Sequence, residues 1–196
     1  MLKRFTDIFL STIAVLVLLP IMLVISIIIN FESRGGFFYF QNRVGKNNCD
    51  FKLMKFRTMF VGSDKKGLIT VGTNDKRITG FGKFIRKFKL DELPQLFNII
   101  LGDMSIVGPR PEVRKYVNLY NKEQLHVLSV RPGLTDYASI EYIEENKILA
   151  ESDDAEKMYV EKIMPHKLEL NLKYIKNQSF ATDFKIIFKT AFKIFS

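Results

Sequence analysis

The sequence predicts an α+β fold anchored to a membrane, in which a hydrophobic N-terminal helix precedes a small, helix-rich domain that contains a short β-hairpin. Three observations support this prediction: an uncharged apolar stretch of 24 residues near the N-terminus, two strand-like segments around an Asn-rich turn, and two later segments with apolar residues at helical spacing. The chain of 196 residues is long enough for one domain of ordinary size, so we divide it into a membrane segment, 1–33, and a globular domain, 34–196.

The composition excludes several kinds of site. Cys49 is the single cysteine, so the chain has neither an internal disulfide nor the thiolates of a zinc or iron–sulfur centre, and a reducing cytoplasmic setting fits. His126 and His166 stand 40 residues apart, which disfavours a multi-histidine metal site. We therefore expect any metal to be held by oxygen ligands.

The positive charge is concentrated in the first half of the chain. Residues 1–90 contain 16 Lys and Arg against 5 Asp and Glu, whereas residues 91–196 contain 14 against 16. Such an excess attracts nucleic acid, anionic lipid headgroups and phosphorylated small molecules alike. The aromatic residues of the amphipathic helical segments are phenylalanines, and the sequence has no recognisable RNA-binding strand or zinc module, so we expect no nucleic-acid partner.

The apolar run at residues 8–31 is long enough to cross a bilayer and exceeds the apolar region of a signal peptide. Pro20 near its middle predicts a bend, because proline removes a backbone hydrogen bond and clashes with the preceding turn. Lys3 and Arg4 before the run, and Arg34 after it, favour the cytoplasm for both flanks. Two topologies remain open: a re-entrant helix that enters and returns, and a single kinked helix that spans the bilayer.

The segment that follows predicts a hairpin, with strands at residues 37–41 and 51–58 and a turn between them. Lys55 and Arg57 lie two residues apart and so share a strand face. This pair is either a solvated surface or part of a phosphate site. Residues 62–76, rich in Gly, Lys, Asp and Thr, predict a loop.

Residues 80–89 and 183–195 each predict an amphipathic helix with lysines opposite phenylalanines. The first helix either packs on the core or lies at the membrane interface, where anionic lipid attracts its basic face. The second helix has the cleaner pattern and is predicted to lie at the membrane interface. Residues 141–177 lack a sharp periodicity and predict covering helices.

Two adjacent carboxylates, Asp91 and Glu92, directly follow the basic helix. Asp91 is a candidate N-cap, and Pro94 is tolerated in the first turn of the next helix, so both acids would lie at a positive helix end. The pair is either a simple capping device or a reactive site for an anionic ligand or a metal. Two rigid turns follow, one holding Arg110 between two prolines and the other containing Arg131; a guanidinium held in this way suits two-point contact with phosphate.

Taken together, these motifs resemble the small monotopic polyprenol-phosphate phosphoglycosyl transferases of bacterial glycoconjugate assembly. The matching segments, in chain order, are the hydrophobic N-terminus with Pro20, Lys55-Phe56-Arg57-Thr58-Met59, Leu90-Asp91-Glu92-Leu93-Pro94-Gln95-Leu96, Gly102-Asp103-Met104-Ser105, Gly108-Pro109-Arg110-Pro111, Arg131-Pro132-Gly133-Leu134-Thr135, and Asp183. The chain departs from the family pattern at Leu19, where a small polar residue is usual, and at residues 136–139, where the family commonly has Gly and an aromatic-Ala-Gln run.

The resemblance implies an enzyme that moves a phospho-sugar from a UDP-sugar to a polyprenol phosphate such as undecaprenyl phosphate, releases UMP and requires Mg²⁺. It also implies a re-entrant helix and a catalytic domain on the cytoplasmic face of the inner membrane. By the same match Asp91 is the nucleophile and a metal contact, and Glu92 is its partner. These roles are chemically reasonable, because a carboxylate can accept a phosphoryl group when nearby cations neutralise the negative charge of that group.

Four cations are candidates for binding the phosphates of the substrate, namely Lys55, Arg57, Arg110 and Arg131. The alternative function is a non-catalytic, membrane-bound basic protein that recruits polyanionic partners. The acid pair argues against that alternative, because two carboxylates weaken the field that would recruit a polyanion.

Overall fold

The computed structural model describes residues 2–63 and 75–195, and these residues adopt the predicted α+β architecture. Their helices are α1 (Leu2–Glu32), α2 (Gly80–Lys87), α3 (Gln95–Leu101), α4 (Arg114–Val117), α5 (Tyr137–Glu141), α6 (Glu145–Ala150), α7 (Ala155–Met158), α8 (Met164–Lys176) and α9 (Phe180–Phe195). Their strands are β1 (Phe38–Val44), β2 (Asp50–Phe56), β3 (Ser105–Val107) and β4 (Gly133–Thr135). β1 and β2 form an antiparallel hairpin, and β3 and β4 form a short parallel pair.

Helix α1 is continuous through Pro20, so the bend that the sequence predicts there does not break the helix. Its length and composition would allow it to cross a membrane. Along the whole helix, one face is turned towards the globular part. The buried residues on this face are Asp7, Ser11, Met22, Ile25 and Ile29, and Ala14, Val15 and Leu18 are partly buried between them. Steps of three and four residues keep these positions on one side of a helix, and most of the other apolar side chains are exposed.

Both ends of α1 are fixed to the globular part by polar contacts. Near the start, Lys3 pairs with Asp183 at 2.6 Å, and the Asp7 carboxylate accepts from the Ser105 hydroxyl at 2.8 Å. Near the end, the Glu32 carboxylate accepts from the backbone N–H of Phe81 at 2.8 Å. These contacts place both ends of α1 against one body.

The hairpin confirms the predicted strand–turn–strand pattern with shifted bounds. β1 extends to Val44, because the turn is confined to five residues that include Asn47 and Asn48 in left-handed conformations, with φ of 56° and 62°. Asparagine tolerates this region better than most residues. β2 ends at Phe56, so Arg57 lies just beyond the strand that the sequence predicted for it.

The two predicted amphipathic helices are present with shifted ends. α2 ends at Lys87 and is capped at its start by the Thr79 hydroxyl, which accepts from the N–H of Gly82 at 3.0 Å. α9 begins at Phe180, three residues earlier than predicted. It leaves a row of exposed phenylalanines, at positions 184, 188 and 192, opposite the buried Ile186. Residues 64–74 of the predicted loop lie outside the described residues.

Candidate active site

The acid pair lies on a tight turn between α2 and α3. Lys89 has a left-handed φ of 56°, and Leu90–Glu92 form a single 3-10 turn behind it. Positive φ is uncommon for lysine, and strained residues of this kind cluster at functional sites. α3 begins only at Gln95, with Pro94 at the cap position, so the predicted N-cap role of Asp91 is wrong. The 3-10 turn intervenes between the acid pair and the helix.

Hydrophobic packing holds this turn against α1. Leu90 and Leu93 lie on either side of the acid pair and pack on a buried cluster that includes Met22 and Ile25 of α1. The same cluster contains Ile85 of α2, which is fully buried. The apolar residues therefore fix the turn from behind, and the conformation of the acid pair depends on α1.

Glu92 is held by two cations. Its carboxylate forms an ion pair with the Arg110 guanidinium through both oxygens, and Lys55 Nζ lies 3.4 Å from Oε1. The Glu92 side chain is only 12% exposed. Burial opposes its ionisation, but the positive charges of Arg110 and Lys55 outweigh burial and hold the pKa of Glu92 well below its ordinary value. Glu92 is therefore ionised at neutral pH.

Asp91 has a different environment. It is buried, yet among the described residues no lysine or arginine nitrogen lies within ion-pair distance of its carboxylate. Burial raises the pKa of Asp91, and the charge of Glu92 adds to this shift against the pull of Lys55. The two neighbouring acids thus have pKa values displaced in opposite directions, an arrangement typical of catalytic carboxylate pairs.

Lys55 reaches the acid pair because β2 is attached to α3. The fully buried Asn98 accepts from the backbone N–H of Met54 at 2.9 Å and donates to the carbonyl of Lys52 at 2.8 Å. This pair of bonds fixes the edge of the hairpin beside α3. Burial lowers the pKa of Lys55, and Glu92 opposes that shift.

Arg110 is positioned by the two rigid turns, which meet at β3 and β4. Gly133 donates its N–H to the carbonyl of Pro109 at 2.9 Å, and a Cβ on Gly133 would lie 2.1 Å from the nitrogen of Gly108, so only glycine permits this approach. The backbone N–H of Arg110 donates to the buried Asp136 carboxylate at 3.1 Å. These contacts explain the rigidity that the sequence predicts for Arg110. The sequence did not indicate that Asp136 would hold the backbone of Arg110.

The other two candidate cations form no ion pair with Asp91 or Glu92. The Arg57 guanidinium donates to the Ser33 hydroxyl at 3.0 Å and to the Arg34 carbonyl at 3.1 Å, which fastens the chain just after α1. Arg131 Nε donates to the carbonyl of Gly102 at 2.8 Å, at the end of α3. The structure therefore brings together Asp91, Glu92, Lys55 and Arg110 and leaves Arg57 and Arg131 with backbone partners.

The residues at this site suit a magnesium ion that is shared with a substrate. Within residues 2–63 and 75–195, no group of three or more Asp, Glu, His or Cys side chains could hold a metal by itself. Mg²⁺ is commonly bound by one or two carboxylates together with substrate phosphates and water. Asp91 could serve as that carboxylate, whereas Glu92 is already engaged by Arg110 and Lys55.

Sequence reasoning missed a polar cavity beside Arg110. It has a volume of about 150 Å³, and its lining includes Glu112, Tyr159 and Asn171. These residues lie far apart in the sequence, on the loop before α4, on a single π-helical turn at Tyr159–Ile163, and on α8. No local pattern joins them, so only the fold reveals the cavity.

The model of one protein family, described as bacterial sugar transferase, matches residues 1–196 of the chain. The chain belongs to the bacterial sugar transferase family. The acid pair, Arg110 and both rigid turns therefore lie within the region that matches the family model.

Individual relatives agree with this membership. The chain is 39% identical over 191 residues to the UDP-N-acetylgalactosamine-undecaprenyl-phosphate N-acetylgalactosaminephosphotransferase of Aeromonas hydrophila, covering 96% of this chain and 42% of that protein. It is also 39% identical over 196 residues to the UDP-glucose:undecaprenyl-phosphate glucose-1-phosphate transferase of Klebsiella pneumoniae, covering 98% and 40%. The chain thus spans about two fifths of the length of these relatives.

A shorter relative is matched over most of its length. The exopolysaccharide production protein ExoY of Rhizobium meliloti (strain 1021) is 34% identical over 205 residues, covering 97% of this chain and 84% of that protein. The hydrophobic helix and the acid pair both fall inside this shared region.

Proposed function

We propose that the chain transfers a phospho-sugar from a UDP-sugar to a polyprenol phosphate and so initiates the assembly of a bacterial polysaccharide or related glycan. The observation that carries the proposal is the asymmetry of the acid pair, in which Glu92 is held ionised by two cations and Asp91 is buried without such a partner among the described residues. The printed names of the relatives describe the same class of reaction on undecaprenyl phosphate.

In the proposed mechanism, a carboxylate oxygen of Asp91 attacks the sugar-bearing phosphorus of the donor. The bond from that phosphorus to the bridging oxygen breaks, and UMP leaves with the bridging oxygen. A phosphate oxygen of the polyprenol phosphate then attacks the phosphorus, which releases the Asp91 carboxylate and forms the polyprenol diphospho-sugar. Arg110 and Lys55, held beside Asp91 by Glu92, stabilise the negative charge that develops on the transferred group.

Magnesium is part of the proposal. When bound, Mg²⁺ neutralises charge on the diphosphate of the donor and so lowers the repulsion of an anionic nucleophile. Asp91 and the phosphates of the donor would hold it. Removal of the metal with EDTA should abolish turnover, and added Mg²⁺ should restore it.

We also propose that α1 does not cross the bilayer and that the protein lies on the cytoplasmic face of the inner membrane. α1 has 31 residues, which corresponds to about 46 Å, yet the globular part contacts it both at Lys3 and at Glu32. A domain on one side of a membrane cannot reach both ends of a spanning helix. The exposed phenylalanines of α9 and the exposed apolar face of α1 suit contact with one leaflet.

The function is tested by incubating the full-length protein, in detergent or nanodiscs, with Mg²⁺, undecaprenyl phosphate and each of a panel of UDP-sugars, and by measuring UMP release. We expect release with at least one UDP-sugar and none from the Asp91→Asn variant. Absence of release with every sugar would favour the alternative of a non-catalytic recruiter. The pairing of Lys55 and Arg110 with Glu92 argues against that alternative, because a recruiter would leave these cations free to bind its partner.

A further inference from the structure

The cavity beside Arg110 is large enough for a polar group of the donor. Its volume of about 150 Å³ is roughly ten times the ~15 Å³ that one water molecule requires. Arg110 lines it and at the same time holds Glu92, so the cavity adjoins the acid pair. A donor whose phosphate is at Asp91 would therefore extend one of its ends towards this cavity.

Most charged groups in the cavity wall already have partners. The Glu112 carboxylate accepts from Arg43 at 3.0 Å, from the backbone N–H of Val113 at 2.7 Å and from the Tyr159 hydroxyl. Lys167 is paired with Glu145 at 2.7 Å. Arg110, the third cation of the wall, is paired with Glu92. Because all three cations are matched by carboxylates, the cavity offers little attraction to a second phosphate, and a neutral polar group fits it better.

The backbone near Tyr159 is irregular in a way that often accompanies function. Tyr159 begins the π-helical turn between α7 and α8, and such single turns occur frequently at functional sites. Its ring packs against that of Tyr116, with the ring centroids 5.0 Å apart. Both tyrosines line the cavity and supply apolar surface beside its polar groups.

Asn171 provides the decisive observation. It lines the cavity and is 5% exposed, and its Oδ1 is buried without a hydrogen-bond partner among the described residues. A buried acceptor left unpaired is destabilising, so its presence needs an explanation. A ligand that donates a hydrogen bond into the cavity would provide one.

We infer that this cavity receives the sugar of the donor and that Asn171 accepts a hydrogen bond from a sugar hydroxyl, which makes Asn171 a specificity-determining residue. The inference rests on the proposed function. Asn171 Oδ1 is an unpaired acceptor, and the partnered carboxylates of Glu112 and Glu145 keep lone pairs beyond those already used, so a ligand that brings hydrogen-bond donors suits this wall. A hexose carries several hydroxyl donors, whereas the uracil ring carries one N–H donor and two carbonyl acceptors. The chemistry of the wall therefore favours the sugar over the base.

The test compares affinities for UDP-sugars and for UMP, measured by calorimetry in the Asp91→Asn background, which prevents transfer. The probes are UDP-glucose, UDP-galactose and their N-acetylated counterparts. We expect Asn171→Leu to weaken the best-bound UDP-sugar about tenfold, the effect of one hydrogen bond, and to leave UMP affinity unchanged. The melting temperature should stay equal or rise, because an unpaired buried oxygen is removed.

Two further variants make the test specific. Asn171→Ala removes the same oxygen without adding a branched side chain, and it should also weaken UDP-sugar binding while leaving UMP affinity unchanged. This variant carries the test if leucine does not fit at position 171. Asn177→Leu, six residues further on and exposed, is the matched control and should change neither affinity.

The possible outcomes separate the inference from the proposed function. A parallel loss of UMP affinity in the Asn171 variants would place the nucleotide in the cavity and overturn the inference. Unchanged affinity for both ligands would also overturn it. If the Asn171 variants weaken UDP-sugar binding selectively but the otherwise wild-type protein releases no UMP, the sugar cavity stands and the proposed reaction fails.

Discussion

Asp91 is buried, where a negative charge is destabilising, so a neutral replacement should change the stability of the protein. Burial raises its pKa, so in the folded protein ionised Asp91 costs stability once the pH exceeds that raised value, and the cost vanishes below the ordinary pKa of ~3.9. We expect Asp91→Asn to raise the melting temperature at pH 7 by roughly 3 °C and the gain to shrink as the pH approaches 4. Thermal unfolding at pH values from 4 to 8 measures this difference in melting temperature. A lower melting temperature of Asp91→Asn at pH 7 would contradict the assignment of Asp91 as a buried, destabilising charge.

Arg110 holds Glu92 by a two-point contact. Because its guanidinium contacts both oxygens of Glu92, a lysine would keep the charge but lose the two-point contact. We expect Arg110→Lys to lower kcat/KM for the UDP-sugar on the order of a hundredfold, as measured by UMP release. Arg114→Lys, at an exposed ion pair with Asp50, is the matched control and should stay within about twofold. Equal effects of Arg110→Lys and Arg114→Lys on kcat/KM would show that activity does not depend on the two-point contact of Arg110.

Elements with a strong local pattern could be predicted from the sequence. The hairpin and both amphipathic helices follow from periodicity, and their ends shift by a few residues where a turn or cap takes over, as at Asn47 and Thr79. The turn at the acid pair could not be predicted, because the left-handed conformation of Lys89 depends on packing against α1. The same holds for the cavity, whose walls come from elements distant in the sequence.

Arg57, which the sequence predicts as a phosphate contact, joins the end of the hairpin to the chain just after α1. It is 6% exposed, and its guanidinium satisfies backbone carbonyls just after α1, so its loss would leave them unpaired beside the hairpin. We expect Arg57→Ala to reduce the free energy of unfolding by about 2 kcal/mol. The KM for the UDP-sugar should change less than threefold. A rise in KM with unchanged stability would instead indicate that Arg57 binds a phosphate of the substrate.

At the scale of the whole molecule, the side of the membrane occupied by each end of α1 can be measured. Single cysteines introduced by Leu2→Cys and Lys46→Cys, in a Cys49→Ser background, occupy exposed positions at the start of α1 and in the hairpin turn of the globular part that follows α1. In intact cells both should be protected from an impermeant thiol reagent and become reactive after lysis, because the proposed topology places both in the cytoplasm. Labelling of position 2 alone in intact cells would establish a spanning helix.

The most direct test of the account is the intact mass of the protein after incubation with a UDP-sugar and Mg²⁺ in the absence of polyprenol phosphate. If Asp91 is the nucleophile, the mass increases by one phospho-sugar, the adduct maps to the peptide that contains Asp91, and addition of polyprenol phosphate removes it. The Asp91→Asn variant should show no adduct. UMP release without any adduct, or an adduct that persists in Asp91→Asn, would contradict the central role of Asp91.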